Sequence, residues 1–268
     1  MTDGRYSRQS FLGPEAQSII SRTRVGVVGL GGGGSHIGQQ LAHIGFVDYV
    51  LYDPDIAKCV NLNRTVGTTA EDVAAGRLKL DAATRLIIGL QPDAVIRPHA
   101  CRWQDQPEDL RGCDIVFGCV DGFRGRDELE RSCRRYMIPY VDIGMDVHQA
   151  DGEAPRMGGQ VILSLPGHPC MRCLGFLTNE TLAREGEAYG DAGVHPQVVW
   201  ANGMLASAAV GVGVDLLTDW TRSLRGPVYL SFVGNDGTLT PHVRLQYLDL
   251  EHCTHYPIGS CGDVRVSS

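Results

Sequence analysis

Apolar and polar positions along the first half of the chain fall into short blocks that read as strands and helices in turn. Arg24 to Leu30 is a compact, β-rich apolar run that ends in glycines. Ser35 to Ile44 then carries apolar residues at helical spacing. Tyr49 to Tyr52 predicts a second strand and Arg77 to Leu90 a helix. Ala94 to Arg97, Asp114 to Val120 and Pro139 to Ile143 predict further strands, with a charged helix over Arg126 to Tyr136 between the last two. Alternation of this kind implies a parallel sheet with helices on both faces.

The second half changes character. Gly158 to Leu165, Val228 to Val233 and Val243 to Leu250 predict strands, and Met204 to Leu217 a buried helix rich in Ala, Gly and Val. Thr178 to Gly193 is polar and weakly periodic, and reads as a long irregular loop, a feature that is usually functional in a compact domain. The simplest organisation is one domain over residues 1–268. It has an N-terminal helical arm (1–23), a half of alternating strands and helices (24–150) and an elaborated C-terminal half (151–268).

Bulk properties change this picture only a little. The 268 residues suffice for a full core, and 43% apolar with 21% charged residues is ordinary for a globular chain. A net charge of −7 argues against a broad nucleic-acid surface. Met1 to Thr23 has no apolar signal core and no run reads as a membrane span, so the expected compartment is the cytoplasm. Nine cysteines, an odd number, argue against a disulfide framework.

The candidate chemistry begins where the first strand ends. Gly29, Gly31 and Gly34 form a G-x-G-x-x-G pattern, with Gly32 inside it, between a strand and a helix. Glycines let the backbone approach a phosphate, and the helix start offers free N–H groups. Asp53 ends the second strand, where a carboxylate can bind ribose hydroxyls. These features predict a nucleotide site without separating NAD from ATP. Asp55, Asn61, Arg64 and Lys79 follow, and a hydride-transfer site has no need of that arginine and lysine. A triphosphate does, because cations on either side of its α-phosphate stabilise the charge that develops there under attack. Asp121 ends a later strand and is placed to hold Mg²⁺.

Cys170-Met-Arg-Cys173 offers two thiolates to one metal, and zinc asks for four ligands. Cys253 and Cys261 are the natural second pair, and His255 lies close enough in sequence to replace one of them. Two buried thiol pairs without metal are the alternative.

The motifs Arg5-Tyr-Ser-Arg8-Gln9, the glycine loop, Asp53-Pro-Asp55, Asn61-Leu-Asn-Arg64, Gly76-x-x-Lys79, and Asp121 with Arg126 stand in one order along the chain. With the cysteines they resemble the ThiF/MoeB/HesA adenylyltransferases, bacterial relatives of the ubiquitin-activating E1 enzymes. The resemblance implies a Rossmann-like, doubly wound α/β fold: a mostly parallel sheet, with mixed or antiparallel strands and a zinc site in the C-terminal half. It implies ATP-dependent adenylation of the C-terminal glycine carboxylate of a small ubiquitin-like or sulfur-carrier protein ending in Gly-Gly. Asp53 would then bind the ribose, and Asn61, Arg64 and Lys79 the phosphates, while Asp121 holds Mg²⁺. Arg8 would reach the site of the other subunit of a homodimer, unless it is a solvated helix charge. Residues 151–268 would receive the carrier, and Thr178 to Gly193 would be the crossover loop above its tail. A conjugating enzyme or a sulfurtransferase is the implied downstream partner.

The chain also departs from the family pattern. Gly122 follows Asp121 where the family commonly has Asn, and seven residues separate Cys253 from Cys261 where the family usually has a second C-x-x-C. No cysteine lies between Leu174 and His252, so either the reaction stops at the acyl-adenylate or a thioester is made elsewhere. The competing readings are a tRNA-modifying dehydratase relative that adenylates a nucleoside carboxylate, a nicotinamide-dependent oxidoreductase, and a catalytically silent partner half. Retention of Arg8, Arg64, Lys79 and Asp121 counts against the last.

Overall fold

The computed structural model describes residues 4–149, 152–188, 196–224, 226–248 and 253–256. A 3₁₀ arm over Gly4–Leu12 leads into α1 (Ala16–Arg22), β1 (Arg24–Val28), α2 (Gly32–Ile44), β2 (Asp48–Tyr52), α3 (Ala70–Ala74), α4 (Lys79–Leu90) and β3 (Val95–His99). Then come β4 (Ile115–Gly118), α5 (Phe123–Arg135), β5 (Tyr140–His148), β6 (Arg156–Ser164), α6 (Asn179–Ala188), α7 (Val199–Thr218), β7 (Val228–Val233) and β8 (Thr238–Pro241).

The strands form one sheet in the order β3-β2-β1-β4-β5-β6-β7-β8. The first five are parallel and the last three are added antiparallel. All four residues of β4, and four of the five in β1 and in β2, are buried. Runs buried on both faces are what central parallel strands require. Ile37 and Leu41 of α2, Leu80 and Ile87 of α4, and Leu205 and Ala209 of α7 pack on one face. Leu129 and Cys133 of α5 pack on the other, with Trp103, Leu110, Met171 and Leu174. Chain order reverses between β1 and β4, so their C-terminal ends open into a crevice. Both outer strands are short and carry a proline, Pro98 within β3 and Pro241 at the end of β8.

The parallel half matches the sequence expectation to within a few residues, and two elements of the second half do not. Val243 to Leu248, the described part of the expected strand Val243 to Leu250, is not a strand: Val243–Gln246 is a 3₁₀ turn whose start His242 caps by accepting from Arg244 N at 3.2 Å. The edge strand is β8, reached through the Gly234-Asn-Asp-Gly237 turn, where Gly237 has a positive φ of 65°. Part of the expected irregular loop is helix, since α6 starts after Thr178, whose hydroxyl accepts from Thr181 N at 3.1 Å. Residues 189–193 of that loop lie outside the described residues. Helix α7 is long and apolar enough to cross a membrane by composition, yet its inner face packs on α2, β5 and β6.

Candidate active site

A cavity of about 830 Å³ opens at the crevice between β1 and β4. Gly29, Gly31, Gly32 and Gly33 form its floor. Tyr52, Cys101, Trp103 and Gln104 line one end, and Ile143, Met145, Asn202 and Leu205 the other. Gly29 holds a φ of 87°, and a β-carbon on Gly34 would fall 1.8 Å from the Gly29 carbonyl oxygen. So Gly34 does not line the cavity: its work is to let α2 press against the loop, whose other glycines face the ligand space.

Asp53 is buried and fixes the loop. One carboxylate oxygen accepts from Leu30 N at 2.6 Å and the other from Asp55 N at 2.8 Å. Burial raises its pKa, against the pull of Lys79 and of the two N–H donors. Lys79 is the first residue of α4. Its Nζ lies 2.7 Å from Asp55 Oδ2, and its backbone N–H donates to the Asp55 carbonyl at 2.9 Å. Arg64 lines the cavity and donates to the Val60 carbonyl at 2.6 Å. Asp121 is exposed to the cavity just past the end of β4.

Two other expected residues sit elsewhere. Asn61 is buried, accepts from Lys58 N at 2.8 Å, and is not among the residues lining the cavity, so its visible work is to shape the turn that carries Arg64. Arg8 is exposed on the arm and does not line the cavity of its own chain. Its neighbours hold the arm down: Arg5 donates to the Leu90 carbonyl, Tyr6 to Gln91 Oε1 at 3.1 Å, and Gln9 to the Ile44 carbonyl at 2.8 Å. That leaves Arg8 pointing outward.

Some of the lining was invisible in the sequence. Arg126 was part of a motif, but its partner was not legible: its guanidinium pairs with the fully buried Asp142, which also accepts from Tyr140 Oη at 2.8 Å. Arg102, Arg124, Glu128 and Glu185 line the cavity from a loop, from α5 and from α6. Only their fold-level neighbours identify them.

A second cluster forms on the far side of α5. The Sγ atoms of Cys170 and Cys173 lie 3.7 Å apart, as do those of Cys173 and Cys253, and His255 Nδ1 lies 3.6 Å from Cys170 and 3.3 Å from Cys173. A tetrahedral zinc with bonds of about 2.3 Å to sulfur sets its ligand atoms roughly 3.8 Å apart. Three thiols and an imidazole at this spacing fit zinc, with His255 in the place expected for a second late cysteine. Cys261 lies outside the described residues. The cluster is fastened to α5 by buried groups. Glu130 accepts from Met171 N at 2.8 Å, and Arg134 donates to the carbonyls of His168 at 2.9 Å and Pro169 at 3.1 Å.

With this geometry in view, comparison with known proteins is decisive for the family. The sequence profile of the ThiF family matches residues 6–247. The chain belongs to the ThiF family. It is 34% identical over 175 residues to the SAMP-activating enzyme E1 of Haloferax volcanii, an alignment that covers 63% of this chain and 61% of that protein. It is 29% identical over 233 residues to the molybdopterin-synthase adenylyltransferase of Salmonella typhimurium, covering 84% of this chain and 86% of the relative. In fold it superposes on a crystal structure of E. coli MccB with ATP at a TM-score of 0.70 and 18% identity, covering 90% of this chain and 71% of that one. This ThiF-family chain thus has the α/β architecture expected from its sequence, including the antiparallel C-terminal extension.

Proposed function

We propose that this ThiF-family chain is an ATP-dependent, E1-like adenylyltransferase that activates the C-terminal glycine carboxylate of a small ubiquitin-like or sulfur-carrier protein, giving acyl-AMP and pyrophosphate. One observation carries the reading. At the switch point of the sheet, a glycine loop faces Lys79 and Arg64 on one side and Asp121 on the other, around a cavity large enough for a nucleotide. The carboxylate attacks the α-phosphorus, and the bond to the pyrophosphate oxygen breaks. Lys79 and Arg64 stabilise the charge on the phosphoryl oxygens. Asp121 is the residue that would hold Mg²⁺, which supplies charge neutralisation for the leaving pyrophosphate.

The acyl-adenylate is the end point on this enzyme. Burial raises the pKa of Cys119 and Cys101, the two thiols that line the cavity, so neither is poised as a nucleophile. A carrier–AMP adduct by intact mass, with no reducible enzyme–carrier band, is the expected result. A reducible complex lost on replacing any one cysteine would overturn it.

The active form is a homodimer in which Arg8 serves the partner's site. Helix α7 supports this: from Val199 to Val214 it has no charged residue, yet Trp200 is 60% and Met204 39% exposed. An apolar face of this kind on a globular domain marks an interface. At the other end of the same helix the arm is anchored by Phe11 against Trp220, ring centroids 5.3 Å apart. Arg8→Ala is expected to abolish pyrophosphate exchange while ATP affinity and fold persist. Mixing Arg8→Ala with Asp121→Ala subunits recovers part of the activity, because a mixed dimer keeps one complete site. Monomeric active enzyme, or mixtures that stay dead, would refute the shared site.

Zinc is structural in this reading, held by Cys170, Cys173, Cys253 and His255. Elemental analysis should give about one zinc per chain. Cys173→Ser should lose it and melt roughly 5–10 °C lower, since each kcal/mol lost moves a chain of this size by about 2–4 °C. Zinc-free protein with unchanged melting removes the site. The compartment is the cytoplasm, where the eight cysteines among the described residues, none of them in a disulfide, would stay reduced. A conjugating enzyme or a sulfurtransferase would take over the activated carrier.

A further inference from the structure

The start of α5 holds three features that fit one another. The first is an uncommitted cation. Arg124 lies in the first turn, is exposed, lines the cavity and makes no ion pair among the described residues. Its cavity neighbours Lys79 and Arg126 are each neutralised by an acid, Asp55 and Asp142. The second is a carboxylate on the helix end. Glu185, reaching over from α6, accepts from Arg124 N at 2.8 Å and also lines the cavity. The third is the missing side chain at the helix cap. Gly122 has a φ of 83°, and a β-carbon there would lie 1.9 Å from Glu185 Oε1. A side chain at position 122 would shut Glu185 out of the helix end.

The first N–H groups of a helix have no partner within it and carry partial positive charge, so they take an anion. Here that anion is a side chain of the same molecule, beside an unpaired guanidinium and three residues beyond Asp121. A polyphosphate arriving at Asp121 needs the same N–H groups and the same guanidinium, and its charge repels the carboxylate. We propose that Arg124 and the first turn of α5 are the seat of the terminal phosphates of ATP, and that Glu185 occupies this seat in the nucleotide-free enzyme until the triphosphate displaces it. The inference rests on the adenylation reading and adds a phosphate contact supplied by the same chain, where Arg8 comes from the partner.

The test is calorimetric binding of ATP with Mg²⁺, and of AMP, to the full-length protein and its variants. Arg124→Ala should weaken ATP binding about ten- to hundredfold, the weight of a charge-assisted hydrogen bond pair, and leave AMP binding unchanged. Arg124→Lys should recover part of the loss. Glu185→Gln should tighten ATP about two- to fivefold without affecting AMP, since a carboxylate at a helix start contributes about that much. Equal losses for ATP and AMP, or no loss at all, with Arg124→Ala would overturn the inference while the adenylation reading stands. Weaker ATP binding by Glu185→Gln would do the same. Wild-type protein without ATP affinity would remove both.

Discussion

Lys79→Ala is expected to slow carrier-dependent pyrophosphate exchange by about 10²–10³-fold, the usual cost of removing one preorganised charge from a developing oxyanion. The Lys79 side chain is 12% exposed and its ammonium is held 2.7 Å from Asp55, so it is positioned before any substrate arrives. Preorganisation of this kind acts on the transition state more than on the ground state. The fall should therefore appear in kcat, with the apparent affinity for ATP changing by less than about threefold. Lys79→Arg should rescue little, because a planar guanidinium cannot reproduce the point contact that the ammonium makes with Asp55. A variant with normal kcat and only a raised KM for ATP would show that Lys79 merely binds the nucleotide.

The largest stability effect is expected from Glu130→Ala. Glu130 is fully buried, accepts from Ser164 Oγ at 2.5 Å and from Met171 N at 2.8 Å, and lies 3.5 Å from Arg134 Nε. The Arg134 side chain is 1% exposed. Removing the acid leaves a buried cation without its counter-charge and strands a backbone N–H, a loss of about 3–5 kcal/mol. Melting should fall by roughly 10–15 °C for a chain of this size. The double change Glu130→Leu with Arg134→Met removes both charges and should recover most of that loss. If Glu130→Ala melts within about 2 °C of wild type, the buried pair is not what ties α5 to the cysteine cluster.

The legible part of this molecule is the part governed by local pattern. The glycine loop, Asp53 and Lys79 sit at strand–turn–helix junctions, where spacing alone places them at a sheet edge, and the structure puts them around one cavity. Arg124 and Glu185 are 61 positions apart and meet only because α6 folds back over α5. Val243 to Leu250 mimics a strand by apolar alternation, but His242 makes a backbone bond to Tyr229 at 2.8 Å and then starts a turn. Asn61 has the right neighbours for a phosphate ligand, yet its carbonyl oxygen is spent on the turn beneath Arg64. His255 was visible only as a substitute, because spacing along a chain does not reveal which of two late residues reaches a metal.

The two outer strands also set a limit on how the molecule can associate. An open sheet offers unpaired N–H and C=O groups at each edge, and such edges recruit strands from neighbouring chains. Pro98 deletes a donor from one edge, and the other is four residues long and stops at Pro241. Among the described residues neither edge presents a run on which a foreign strand could zip. Any association of copies would then fall to the helices rather than to the edges of the sheet.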